Sequence, residues 1–179
     1  MKKIITLAVL AGTMLFTNQI VAQDFSGLDK SPMDIATFPN DYKVSDKVVR
    51  VIYSRPQLKG RTMAELAPQG KVWRTGANEA PEITFYQDVK FGGKSVKAGT
   101  YALLTIPSKG EWTVILHNSL NEWGAYTYDE SNDVARIKVP RNTDDKSLEE
   151  FSIAFKEVED GVHMLMGWAN TRIAIPITM

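Results

Sequence analysis

Residues 70–107 read GKVWRTGANEAPEITFYQDVKFGGKSVKAGTYALLTIP, and this stretch decides the fold. Gly92-Gly93 lies between two short β-type pieces, Val89 to Phe91 and Ser95 to Val96. Two consecutive residues that tolerate positive φ are what a type I′ turn demands, so the pair marks a hairpin. Ile83 to Tyr86 is a further short strand, Gly99 marks a bend or bulge, and Thr100 to Ile106 is a buried strand. Ahead of these strands comes a polar loop, Trp73-Arg74-Thr75-Gly76-Ala77-Asn78-Glu79. The stretch is a polar loop mounted on a β-scaffold.

Downstream the period of two continues. Lys109-Gly110 turns the chain into Glu111 to His117, where Trp112, Val114 and Leu116 alternate with other residues. Ala135, Ile137 and Val139 point one way, and Phe151, Ile153 and Phe155 repeat the pattern. Asp160-Gly161 is the strongest hairpin signal in the chain and hands over to Val162, Met164, Met166 and Trp168 on one face. The last strand, Thr171 to Ile177, groups Ile173, Ile175 and Ile177. Its Pro176 cannot donate to a ladder, which predicts an edge.

Upstream, Lys47 to Ser54 is β-branched and aromatic, with Val49, Val51 and Tyr53 on one face and Val48, Arg50 and Ile52 on the other. Gly60 to Pro68 has a helical look: Thr62 can cap it and Glu65 can complete a capping box. Residues 23–46, broken by Pro32 and Pro39, read as an N-terminal arm tethered by Ile35 and Phe38. The sum predicts an all-β, single-domain antiparallel β-sandwich over residues 47–179, jelly-roll-like or barrel-like. At most one short helix is expected, near residues 62–67.

The first 22 residues have the build of a secretory signal peptide. Lys2 and Lys3 precede an apolar run from Ile4 to Phe16, and Ala22 ends a small cleavage motif. The run is shorter than the roughly 20 residues a membrane span needs. An exported chain in the periplasm or outside the cell is expected, without a lipid anchor, because there is no cysteine to carry one. Loss of Lys2 and Lys3 shifts the balance from 21 basic and 21 acidic residues to 19 against 21. Such a surface lacks the basic excess of a nucleic-acid binder. Zero cysteines also exclude disulfides, a thiolate nucleophile and Cys-ligated metals.

Familiar motifs fail on spacing. Gly93-Lys94-Ser95 resembles the tail of a phosphate loop, but Asp88 stands where that loop needs glycine, and no helix follows. His117 and His163 are the only histidines and have no metal-ligand spacing, so neither a metal nor a cofactor is expected. No G-x-S-x-G elbow is present. The loop around Trp73 is the most suggestive piece. Trp73 offers a stacking face, Arg74 a planar fork of donors, and Asn78 and Glu79 an amide and an acceptor. Arg55 and Arg61 flank the preceding loop and can converge there. The competing reading makes Arg74 and Glu79 an internal ion-pair network and Trp73 a core residue. Trp123, Tyr126 and Tyr128 form a second aromatic loop.

Tyr53-Ser54-Arg55-Pro56, Lys59-Gly60-Arg61, Val72 through Glu79, Ala98-Gly99-Thr100-Tyr101, Ile106-Pro107, Trp123-Gly124, Asp133-Val134 and Arg136 together resemble the domain-of-unknown-function 2911 family. The similarity runs from about Ser31 to the C-terminus. It implies an exported bacterial protein, chiefly of Bacteroidota type, and no established activity, cofactor or catalytic residue. Pro81 departs from the threonine of that pattern and stiffens the loop exit.

The function expected is a binding or accessory module for a polar or anionic small molecule or a glycan, with contacts at Arg55, Arg61, Trp73, Arg74, Asn78 and Glu79. Two alternatives stand beside it. One is a metal-independent hydrolase pairing Glu79 with an acid among Asp129, Glu130 and Asp133. The other is a purely structural envelope protein.

Overall fold

The computed structural model describes residues 25–179. The expected export signal, residues 1–22, lies outside the described residues. Ten strands are found among them: β1 (Met33–Phe38), β2 (Val49–Ser54), β3 (Glu82–Phe85), β4 (Val89–Phe91), β5 (Lys94–Val96), β6 (Gly99–Ile106), β7 (Glu111–His117), β8 (Asp133–Pro140), β9 (Asn142–Val158) and β10 (Gly161–Thr178). A short helix α1 (Met63–Leu66) follows β2, and a 3-10 turn (Glu130–Asn132) precedes β8. The strands form two antiparallel sheets, β1-β2-β3-β6-β7-β8 and β5-β4-β10-β9. The architecture is an all-β sandwich, and the sheets do not close into a barrel. No helix among the described residues is long and apolar enough to cross a membrane.

The alternating residues bury as their period demands. Val49, Val51 and Tyr53 from β2 meet Trp112, Val114 and Leu116 from β7, Ala135, Ile137 and Val139 from β8, and Met164, Met166, Trp168, Ile173, Ile175 and Ile177 from β10 in one inter-sheet core. A second cluster lies on the other face of the six-stranded sheet. Ala80, Ala102, Leu104 and Ile115 are covered there by Leu120, Ala125 and Tyr128 of the loop 118–132. Strands β6 and β7 are thus buried on both faces, which is why they read as continuous apolar runs. The Gly92-Gly93 hairpin forms between β4 and β5, with φ of 54° and 84°. The Thr62–Glu65 capping box closes around α1.

Three features differ from the sequence reading. Residues 33–38, placed in an arm, form an edge strand paired along its length with β2. Its half-exposed pattern hides the strand period, because only one neighbour and one partly covered face define it. Residues 142–150, polar throughout apart from Leu148, extend β9 by nine residues beyond the Phe151 repeat. The C-terminal strand, expected at an edge, lies between β4 and β9. Pro176 is tolerated there because the β9 ladder has already ended at Arg172↔Asn142. Its carbonyl still accepts from Gly92 N–H at 2.8 Å.

Strand β10 does not run straight. Eighteen extended residues would span roughly 60 Å, yet a Cβ placed on Gly161 would lie 2.3 Å from the carbonyl oxygen of Ile177. The chain folds back at Ala169, where φ is +46° and the register with β9 shifts on either side. That bend delivers Trp168 to the end of the sandwich where the polar loop sits.

Candidate functional site

The loop 70–81 is fixed at both ends. Trp73 exchanges two backbone hydrogen bonds with Thr105 of β6 (2.7 and 2.9 Å), and Gly70 N–H donates to Pro107 O at 2.9 Å. Thr75, fully buried, hydrogen-bonds the hydroxyl of Thr105 at 3.1 Å. Beyond the turn, Ala80 N–H donates to Glu122 O, and Gly124 N–H donates to Asn78 O at 3.0 Å. Gly76 packs against the end of β2: a Cβ there would lie 3.1 Å from Ser54 O. The turn is therefore held between β6, β2 and the loop 118–132.

On one side of this turn opens a cavity of about 260 Å³. Its floor is Trp73 and Trp168, with ring centroids 5.5 Å apart and planes 13° from parallel. Its walls carry four cations, Lys30, Lys59, Arg61 and Arg74, and no carboxylate. None of the four side chains makes an ion pair within 4.0 Å among the described residues, although the backbone N–H of Lys59 donates to Glu149 Oε1 at 2.7 Å. Arg61 is held in place by its own loop. Its Nε donates to Leu58 O and its Nη2 to Gln57 O, each at 3.0 Å, leaving Nη1 without a partner among the described residues. Arg74 is half-buried, and its Nε is shielded from solvent without any hydrogen-bond partner. Buried donors of this kind are rare and costly, by about 1–3 kcal/mol. The Arg74 tip runs beside the backbone of Gly124, where a Cβ would come within 3.1 Å of its Nη1.

The six residues named from the sequence separate into four places. Arg61, Trp73 and Arg74 line the cavity together. Arg55 joins the two sheets: its Nε donates to Phe151 O (3.1 Å), its Nη2 to Ser152 Oγ (2.8 Å) and its Nη1 to Asp34 (3.0 Å). Asn78 occupies a positive-φ position, 63°, in the turn, and its carbonyl ties down Gly124. Glu79 bridges to Trp123 and lines a different cavity with Glu82. Trp73 is 6% exposed, its stacking face already taken by Trp168, so it forms both core and cavity floor. Lys30 and Lys59 escaped the sequence reading. Lys30 is far from the loop in sequence, but Lys59 lies in the Lys59-Gly60-Arg61 string whose positive-φ turn was a usable clue.

Residues 31–177 match the family described as "Protein of unknown function (DUF2911)". The chain belongs to this family. Every site residue named from the sequence falls inside the matched span of the DUF2911 family, whereas Lys30 stands one residue outside it. No curated protein and no solved structure matches the chain.

The acids named as partners for Glu79 in this DUF2911 chain are engaged with other groups. Asp133 accepts from Tyr128 and from Arg136 Nε, and Arg136 also donates to the Tyr128 oxygen. Glu130 pairs with Arg136 at 3.1 Å, and Asp129 caps the 3-10 turn through Ser131 N–H. Burial, the hydrogen bond to Asp133 and the Asp133 charge push the Tyr128 phenol up to about 12. Hydrogen bonding from Ser131 holds Asp129 below its ordinary value. Among the described residues no cluster of three or more His, Asp or Glu could hold a metal ion.

Proposed function

We propose that the protein is an exported binding module for a small anionic molecule, held in the cavity between Arg61 and Arg74. One observation carries the reading: four basic residues and no acidic one line about 260 Å³ of space. Glu149 at the Lys59 backbone and Glu65 near Arg61 offset part of this charge. Like charges left without ion-pair partners repel, and an anion placed among them reverses that term. The planar forks of Arg61 and Arg74 suit a carboxylate or phosphate bidentately, while Lys30 and Lys59 supply point charges. Arg61 is already ordered by two backbone carbonyls, so less freedom is lost on binding. The volume fits a monosaccharide-sized ligand rather than a polymer.

The test is calorimetric titration with inorganic phosphate, a hexose phosphate and the matching neutral hexose. The charged probes should bind and the neutral one should not. Arg61→Ala and Arg74→Ala should each weaken binding by about tenfold or more, whereas Asn78→Ala should alter stability and leave affinity unchanged. If both arginine variants bind like wild type while stability falls, the loop is structural and the reading fails. Export rests on residues 1–22, and N-terminal sequencing of protein recovered outside the cytoplasm should begin at Gln23.

A further inference from the structure

Among the described residues a second guanidinium without a hydrogen-bond partner, that of Arg50, lies on the outward face of the six-stranded sheet. The outward row across β1, β2, β3 and β6 is Thr37, Arg50, Thr84 and Thr100, in register. Thr84 and Thr100 hydrogen-bond each other at 2.9 Å, which leaves Arg50 flanked by hydroxyls and by no acid in ion-pair contact. Its Nε is buried without a hydrogen-bond partner, one of three such nitrogens among the described residues. A donor desolvated in this way gains from any acceptor that reaches it.

The space above Arg50 is shaped by the connection from β1 to β2. That segment leaves at Pro39 and is tied to itself by Lys47, whose Nζ donates to Pro39 O (2.7 Å) and Asp41 O (2.9 Å). Beside it lies an open cavity of about 530 Å³, lined by Arg50, Tyr86, Thr37, Ile35 and the Ser45-Asp46-Lys47 run. Tyr86 is 52% exposed and Ile35 50% exposed. The cavity thus combines one bare aromatic face, one unpaired planar cation, an acceptor carboxylate and several hydroxyls.

From this arrangement we infer a second binding site, for a saccharide unit that carries one negative group. A pyranose presents an apolar face to stack on Tyr86 and hydroxyls to meet Thr37, Ser45 and Asp46. Its carboxylate or sulfate would supply the acceptors that Arg50 lacks. The site shares no lining residue with the Arg61–Arg74 cavity and does not depend on it.

The experiment titrates the full chain with trigalacturonate, a sulfated trisaccharide and a neutral galactose trisaccharide, followed by calorimetry. At least one acidic probe should bind about tenfold more tightly than the neutral one, and the one that binds names the group. Arg50→Gln should weaken that probe by about tenfold or more. Tyr86→Ala, a change at an exposed position, should weaken it by roughly threefold to tenfold. Arg61→Ala should leave it unchanged. Failure of both acidic probes to bind at about 10 mM, equal binding of the neutral probe, or wild-type binding by folded Arg50→Gln and Tyr86→Ala would each overturn the inference. So would loss of saccharide binding in Arg61→Ala, which would assign the ligand to the other cavity.

Discussion

Replacing Arg55 with methionine separates a strut from a ligand contact. The substitution keeps most of the aliphatic stem and removes three links: to Phe151 O at 3.1 Å, to Ser152 Oγ at 2.8 Å and to Asp34 at 3.0 Å. The first two join β2 to β9, so they tie one sheet to the other. A charged donor contributes about 1.5–3 kcal/mol when fully buried, and the solvent access of Arg55 holds each of these bonds to about 1–1.5 kcal/mol. The Asp34 pair, with side chains 31% and 44% exposed, adds less than about 1 kcal/mol after solvent screening. The expected loss is therefore about 2–4 kcal/mol, which in a chain of this size lowers Tm by roughly 5–15 °C. Urea unfolding gives the stability, and phosphate titration of the same sample gives the affinity. Stability within about 1 kcal/mol of wild type, or an intact fold with a large drop in phosphate affinity, would refute the assignment and return Arg55 to the ligand set.

Three further outcomes follow from local chemistry. Gly161→Ala puts a Cβ 2.3 Å from the Ile177 carbonyl at a φ of +145°, so the β10 fold-back should be lost and the protein recovered unfolded or more than about 3 kcal/mol less stable. Glu65, held below its ordinary value chiefly by Thr62 N–H, and Asp88, held there chiefly by Lys97, contribute stability that is present above their ordinary values of 4.5 and 3.8 and is lost as pH falls below them. Thermal melts of a Glu65→Gln, Asp88→Asn double variant should show a shallower decline through that window than wild type. Tyr128, raised to about 12, should be a late-titrating phenol by ultraviolet absorbance, and its contribution to stability should be full below pH 10 and lost as pH rises through about 12. Tyr128→Phe should reduce that late phase by one phenol, leaving Tyr53, which burial also pushes up.

The sandwich was readable wherever one face of a strand is buried and the other is not. Ala135, Ile137 and Val139, or Trp112, Val114 and Leu116, alternate because the inter-sheet core admits every second residue. The Gly92-Gly93 turn and the Thr62–Glu65 box were readable because their chemistry is local. What escaped depends on distant parts of the chain. The strand at 33–38 exists through its pairing with β2, and the polar stretch 142–148 through its pairing with the bent half of β10. The site divides in the same way. Arg74 and Trp73 share a cavity by adjacency, and Arg61 reaches it because α1 returns the chain to the loop. Lys30 arrives from the segment leading into β1, and no spacing in the sequence encodes that approach. Nor does spacing distinguish Arg55 from Arg61, six residues apart: one meets three acceptors on β1 and β9, the other meets backbone carbonyls of its own turn.

The most direct measurement is a crystal soaked in selenate and examined by anomalous scattering. The account expects a selenium peak inside the cavity, within hydrogen-bonding reach of the guanidinium groups of both Arg61 and Arg74. Selenium at scattered surface lysines, with the space between those two arginines empty or filled by the protein's own side chains, would contradict it.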